Sequence, residues 1–162
     1  MQPIPSIPPP LSRRVLTAGA GFLLAVLWFD LMFDVQVLGY ADEALPEPVL
    51  ASIAAYYQRV TTAAFPMNRL IAVVMLCTVV AAVVQLLRRD VGRGLGWTTL
   101  GLALVPIALA ATRVVPNAVR LGARADDLIT QSALARAICH DHLFCVGCIA
   151  ALLVVQLLPR RR

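Results

Sequence analysis

Apolar residues in this chain gather into four long runs. Val15 to Phe29 carries no charge and continues past Asp30 and Asp34 to about Leu38. Leu70 to Leu87 has only Gln85 as a strongly polar residue; Gly94 to Thr112 is uncharged and contains Pro106; Leu143 to Leu158 is the shortest run. A helix crossing a bilayer takes about 20 residues, each rising about 1.5 Å. The second and third runs nearly meet that length, while the first and fourth must draw polar neighbours into the outer membrane boundary. The pattern therefore predicts an all-α fold, a four-transmembrane-helix bundle with spans at about 15–38, 69–87, 94–114 and 138–158. A Pro-rich tail (1–14) and a basic tail (159–162) flank the membrane domain. Between the first two runs, Val49, Leu50, Ile53, Tyr57, Val60 and Ala64 recur at helical spacing. They predict a short outer amphipathic helix from Pro48 to about Ala64, lying at the interface, with Pro66 just past its end. The third loop is expected to turn at Pro116-Asn117, and Asp126 or Asp127 to cap the helix that enters the fourth span.

Composition agrees with a membrane protein. Of 162 residues, 60% are apolar and 14% charged, against about 45–50% and 25% in soluble domains. Mean hydropathy is +0.81. Soluble, disordered, collagen-like and disulfide-scaffold classes are excluded. The net charge of +5 comes entirely from Arg on the basic side, clustered at Arg13–Arg14, Arg88–Arg89–Arg93 and Arg160–Arg162. These clusters flank apolar runs, which marks topology and not a nucleic-acid face. Their density places both termini in the cytoplasm, and the expected location is the cell inner (plasma) membrane, with the lipid bilayer as the first partner. The first run resembles a signal peptide, but Asp30-Leu31-Met32-Phe33 supplies no cleavage site, so an uncleaved helix is expected.

Polar residues inside the spans need a reason, since a charge there costs about 2.5–3.5 kcal/mol on insertion scales. Asp30 and Asp34 lie one turn apart on one helix face. Asp30, followed by Leu31-Met32-Phe33, is expected to face inward, paired or protonated; Asp34 divides evenly between that role and a simple boundary marker. Arg113 ends the third span near the same side, where pairing with an Asp or snorkelling are both open. The fourth span opens Cys139-His140-Asp141-His142 and continues to Cys145 and Cys148. His140 and His142 point to opposite sides, so they cannot chelate one ion together. A metal would need Asp30 or Asp34 from another helix, and none is assigned. Cys145-x-x-Cys148 resembles the thiol pair of the four-helix quinone-linked disulfide-forming enzymes, but residues 39–68 hold no Cys for a relay. Cys77 is expected to be buried in the second span. The alternative is that these Cys are small apolar residues.

Taken together, residues 15–158 resemble the anthrone oxygenase-like family of small four-helix membrane proteins. The matching segments are Tyr56-Tyr57-Gln58-Arg59, Phe65-Pro66-Met67-Asn68, Pro116-Asn117-Ala118-Val119-Arg120-Leu121, and the polar entry Arg136 to His142. Missing are the Trp that precedes the family's last helix and any counterpart of Cys145 and Cys148. The resemblance implies oxygen-dependent oxidation of anthrones, carried out in founding members without metal or flavin. The leading functional expectation is a small-molecule or redox site at the outer end of the bundle. Asp30 and His142 are its candidate catalytic residues; Asp34, Arg113, Asn117 and Asp141 are its candidate binding residues. Its ligand would be hydrophobic or quinone-like, and no cofactor is assigned. Two alternatives stand beside it: a non-catalytic accessory or assembly subunit with a membrane-protein partner, and thiol oxidation through Cys145 and Cys148.

Overall fold

The computed structural model describes residues 10–41 and 44–158. Most of the Pro-rich tail and the terminal Arg160–Arg162 lie outside the described residues. Six α-helices follow in order: α1 (Leu11–Asp34), α2 (Glu47–Thr62), α3 (Met67–Leu87), α4 (Arg93–Leu109), α5 (Val115–Ala123) and α6 (Leu128–Leu157). The described residues contain no strand. A tight 3₁₀ stretch, Val35–Gly39, ends α1, and a π-helical stretch, Ala110–Val114, joins α4 to α5.

α1 packs on α3 and α6, α3 on α4, and α4 on α6, closing a four-helix ring. Four segments are long and apolar enough to cross a membrane: Leu11–Gly39, Met67–Leu87, Arg93–Ala123 and Leu128–Leu157. Small residues allow close approach inside the ring. Gly19 and Ala20 of α1 face Thr78, Ala81 and Ala82 of α3, and Leu16, Ala103, Ile149 and Leu152 complete the packing. Because lipid is as apolar as a Leu side chain, van der Waals contact and hydrogen bonds hold such a bundle. At the Arg-rich end, Gln85 Nε2 donates to Gln156 Oε1 at 3.2 Å, and Gln156 Nε2 to Thr99 Oγ1 at 3.3 Å, all three residues being fully buried. Arg13, which the sequence offers only as a topology marker, donates to the carbonyls of Gln156 and Leu158 at 2.7 and 3.0 Å and so satisfies the open end of α6.

The other end departs from the expected picture. α6 has 30 residues, about 45 Å at 1.5 Å per residue, against a hydrocarbon core of about 30 Å. Its first turns, with α2 and α5, form a separate apolar core of Leu45, Leu50, Ile53, Ala54, Tyr57, Ala118, Leu121, Leu134 and Ile138. The outward surface of this head carries Glu47, Gln58, Arg59, Arg120 and Arg124. α2 is the expected short amphipathic helix, with its apolar face turned inward. Its stripe Leu50, Ile53, Ala54 and Tyr57 is buried mainly against α5. Gly122 of α5 permits that approach: a Cβ there would stand 2.8 Å from Gln58 N and 2.9 Å from its Cα.

Pro116-Asn117 makes no turn. Helix runs on from the π-helical stretch directly into α5, with Pro116 in its first turn. The chain reverses at Arg124, which adopts φ 53° and ψ 32°. Asp127 then caps α6, its side chain accepting from Thr130 N at 2.9 Å. The fourth helix therefore begins about ten residues before the span boundary that hydropathy alone predicts, because a capped amphipathic start precedes the apolar run. Cys77 faces outward from α3 and is exposed, not buried in the ring.

Candidate functional site

Where head meets bundle, five side chains from three helices converge. Asp30 and Asp34 lie one turn apart near the end of α1, Tyr56 and Tyr57 are adjacent on α2, and His142 projects from α6. Tyr57 follows Ile53 by four residues and Leu50 by seven, so the stripe that buries α2 carries its hydroxyl inward. That hydroxyl donates to Asp34 Oδ1 at 2.7 Å. His142 Nδ1 lies 2.6 Å from Asp34 Oδ2; with the carboxylate accepting on both oxygens, Nδ1 carries the proton. Tyr56, whose ring stacks on Phe33 at 4.1 Å between centroids, donates to Asp30 Oδ1 at 2.5 Å.

Burial separates the two carboxylates. Asp34 is wholly buried, whereas the Asp30 side chain keeps 15% exposure. The sequence favours Asp30 as the inward group; in the fold Asp34 is the deeper one, because α2 closes over it and Asp30 faces a cavity. Burial, reinforced by the neighbouring carboxylates, pushes both Tyr phenols well above their ordinary pKa, so they remain donors.

The remaining free atoms define what the site offers. His142 Nε2 and Asp30 Oδ2 stand 3.9 Å apart, beyond direct hydrogen-bond reach. Both residues, with Tyr57, line a cavity of about 170 Å³ whose other walls include Leu23, Met75 and Ile107. The site is thus an apolar space with a polar head. Cys145 also lines it, its Sγ directed at the carbonyl of Pro106 at 3.7 Å.

The other expected site residues are placed as follows. Asp141 pairs with Arg113 at 3.4 Å, Nε to Oδ2, beside the cluster and not within it; the Arg113 side chain is 58% exposed. Asn117 is half-buried on α5 and lies outside the cavity wall. Cys148 is partly buried, and both it and Cys145 are free thiols. His140 is exposed on the opposite side of α6 from His142. Among the described residues, no three His, Cys, Asp or Glu side chains are arranged to hold a metal ion. The sequence offers Tyr57 as part of the α2 stripe and Tyr56 only within the Tyr56-Tyr57-Gln58-Arg59 segment, and neither as a partner of the Asp pair. The signal that finds Tyr57 is its place on the buried stripe, where a hydroxyl requires a partner.

Comparison with known proteins assigns the bundle differently from the resemblance above. The sequence model of the SHR3 chaperone family, described as ER membrane protein SH3, matches residues 10–157. No curated protein and no solved structure matches the chain. The match overturns the expected anthrone oxygenase-like assignment, which rests on a few short segments and not on the whole chain. It also conflicts with the expected inner (plasma) membrane location, since the matched family is described by its place in the ER membrane. Nothing in it supports an oxidoreductase or a quinone-like ligand.

Proposed function

The chain belongs to the SHR3 chaperone family, and from that membership we propose that it is a non-catalytic assembly factor for multi-pass membrane proteins. It acts in the membrane where those clients are inserted. The observation that carries this reading is the extent of the family match, which covers both bundle and head and not one motif. Two features of the fold support it. Most polar groups between the spanning helices are engaged within the protein, at Gln85–Gln156–Thr99 and at Asp34–Tyr57–His142. The lipid-facing side of α3, with Leu70, Val73, Leu76 and Val80 exposed, is an uninterrupted apolar stripe against which a client helix can lie. In this reading Asp30, Asp34 and His142 join head to bundle, and Cys145 and Cys148 serve as packing residues.

Deletion of the protein tests the proposal. The expected result is that one or more multi-pass proteins become protease-sensitive or aggregate in the membrane fraction, and that the wild-type chain restores them. The Cys145→Ala, Cys148→Ala double variant should restore them equally well. If every multi-pass membrane protein keeps its normal abundance and protease resistance without the chain, the assembly reading fails.

A further inference from the structure

We infer that the cavity between head and bundle is a binding site for a small apolar molecule bearing one hydroxyl group, held between His142 Nε2 and Asp30 Oδ2. This inference rests on the cavity's own geometry and is independent of the assembly reading.

The head of the site is incomplete as it stands. Asp34 accepts from Tyr57 and from His142 Nδ1, and Tyr56 occupies Asp30 Oδ1. That leaves Nε2 of His142, a residue only 5% exposed, and Oδ2 of Asp30 facing each other across 3.9 Å. The gap is too wide for a direct hydrogen bond, yet an oxygen atom set about 2.8 Å from each fits it. A hydroxyl suits the pair because it both donates and accepts. Whichever of Nε2 and Oδ2 carries a proton donates to the hydroxyl oxygen, and the hydroxyl proton goes to the other. A carboxylate head would meet two acidic side chains, and an ether or ketone can only accept.

The body of the site sets the size. Below the polar head the walls are aliphatic, with Leu23, Leu27, Met75, Pro106, Ile107 and Ile149 among them. A volume of about 170 Å³ is slightly above the roughly 150 Å³ of an engineered apolar cavity that holds benzene. The space is open on one side, so it encloses a body of about one ring and leaves room for a chain to run on outward. The same head chemistry serves a free ring alcohol or the first carbons of a lipid-derived alcohol.

The two imidazoles make the test internal to one spectrum. The protein, labelled with ¹⁵N at His140 and His142, is placed in lipid nanodiscs and titrated with cyclohexanol, with 1-dodecanol, and with methylcyclohexane as the hydrocarbon control. Saturable shifts of the His142 ring nitrogens, with exposed His140 unmoved, are expected for an alcohol. Methylcyclohexane should bind at least about tenfold more weakly, having neither hydrogen bond to give. A response to cyclohexanol identifies a free small molecule, and a response to dodecanol alone identifies a lipid alcohol. Ile107→Trp, which fills the cavity from its wall, should abolish the shifts. The wild-type comparison does not depend on any variant folding. The inference is overturned if no alcohol moves His142, which would leave water alone in the gap. Equal shifts from methylcyclohexane, or full binding in a folded Ile107→Trp protein, would overturn it as well.

Discussion

Removing one oxygen atom from Tyr57 tests how head and bundle are joined. In Tyr57→Phe the ring keeps its place in the core with Leu50 and Ile53, so nearly all apolar burial is retained. What disappears is the 2.7 Å donation to Asp34 Oδ1. Asp34 is wholly buried, so no water replaces the lost donor. A hydrogen bond to a charged group contributes roughly 1.5–3 kcal/mol, and a buried acceptor left unpaired brings the cost to the upper part of that range. Tyr56→Phe is the matched control. Its hydroxyl also meets a carboxylate, at 2.5 Å, but Tyr56 is only partly buried and Asp30 retains 15% exposure. Solvent can take over there, and about 0.5–1.5 kcal/mol is expected. The assay is reversible unfolding in mixed micelles followed by far-UV circular dichroism, both variants being compared with wild type. Asp34→Ala sets the upper bound at about 3–5 kcal/mol, since it strips His142 of its buried partner. The reasoning is refuted if Tyr57→Phe costs no more than Tyr56→Phe.

Other expectations follow from separate parts of the fold. Gly122→Ala should destabilise by about 1–3 kcal/mol through overpacking, because its Cβ meets rigid backbone of α2. Gly21→Ala, with nothing within 4 Å, should be neutral or stabilising by up to ~1 kcal/mol in the same unfolding assay. Gln156→Leu should cost about 1–3 kcal/mol by stranding the Gln85 amide, whereas Gln85→Leu with Gln156→Leu should recover much of it, which a double-mutant cycle measures. Asp127 titrates below its ordinary value in the folded chain because Thr130 donates to it. Its cap therefore stabilises α6 above the unfolded carboxyl pKa of about 3.9 and is lost as pH falls through the lower folded value. Amide exchange in the first turn of α6 should quicken at acid pH in wild type, and Asp127→Asn should flatten that dependence.

The parts of this fold that local physics decides are readable from the chain. Four uncharged runs admit no partner but lipid or one another. The spacing of Leu50, Ile53 and Tyr57 gives α2, observed at Glu47–Thr62. The one-turn spacing of Asp30 and Asp34 gives their shared face, and Asp127 ahead of Leu128 gives the cap. Each of these depends on neighbours within a turn or two. What escaped depends on residues far apart. That Asp34 lies deeper than Asp30 follows from α2 folding back over the end of α1, a contact between residues more than twenty positions apart. The persistence of helix through Pro116 depends on the π-helical turn before it, and hydropathy carries no signal for that. The cap at Asp127 marks where α6 starts, but that its first turns pack with α2 and α5 in the head core depends on residues far apart in the chain, and hydropathy carries no signal for it. Family membership is carried by the pattern over residues 10–157, and the four short segments behind the anthrone oxygenase-like resemblance sample only its helix entries.

The joint between head and bundle brings two kinds of physics together. Within the head, water drives Leu50, Ile53, Leu121 and Ile138 together, each fully buried side chain contributing about 1.5–3 kcal/mol. Within the bundle that drive is absent, and close contact and hydrogen bonds do the holding. A head attached only through apolar contact at the membrane surface would be free to slide, since lipid can replace any Leu it leaves. Asp34 removes that freedom. Its two oxygens are satisfied only when α2 supplies the Tyr57 hydroxyl and α6 supplies His142 Nδ1 together. Any displacement of α2 strands a buried carboxylate, at a cost of about 3–5 kcal/mol that lipid cannot offset. The polar cluster thus fixes the register of three helices at the boundary where apolar packing fixes it least. Asp30, one turn away, stands outside this joint and lines the cavity beneath it with His142.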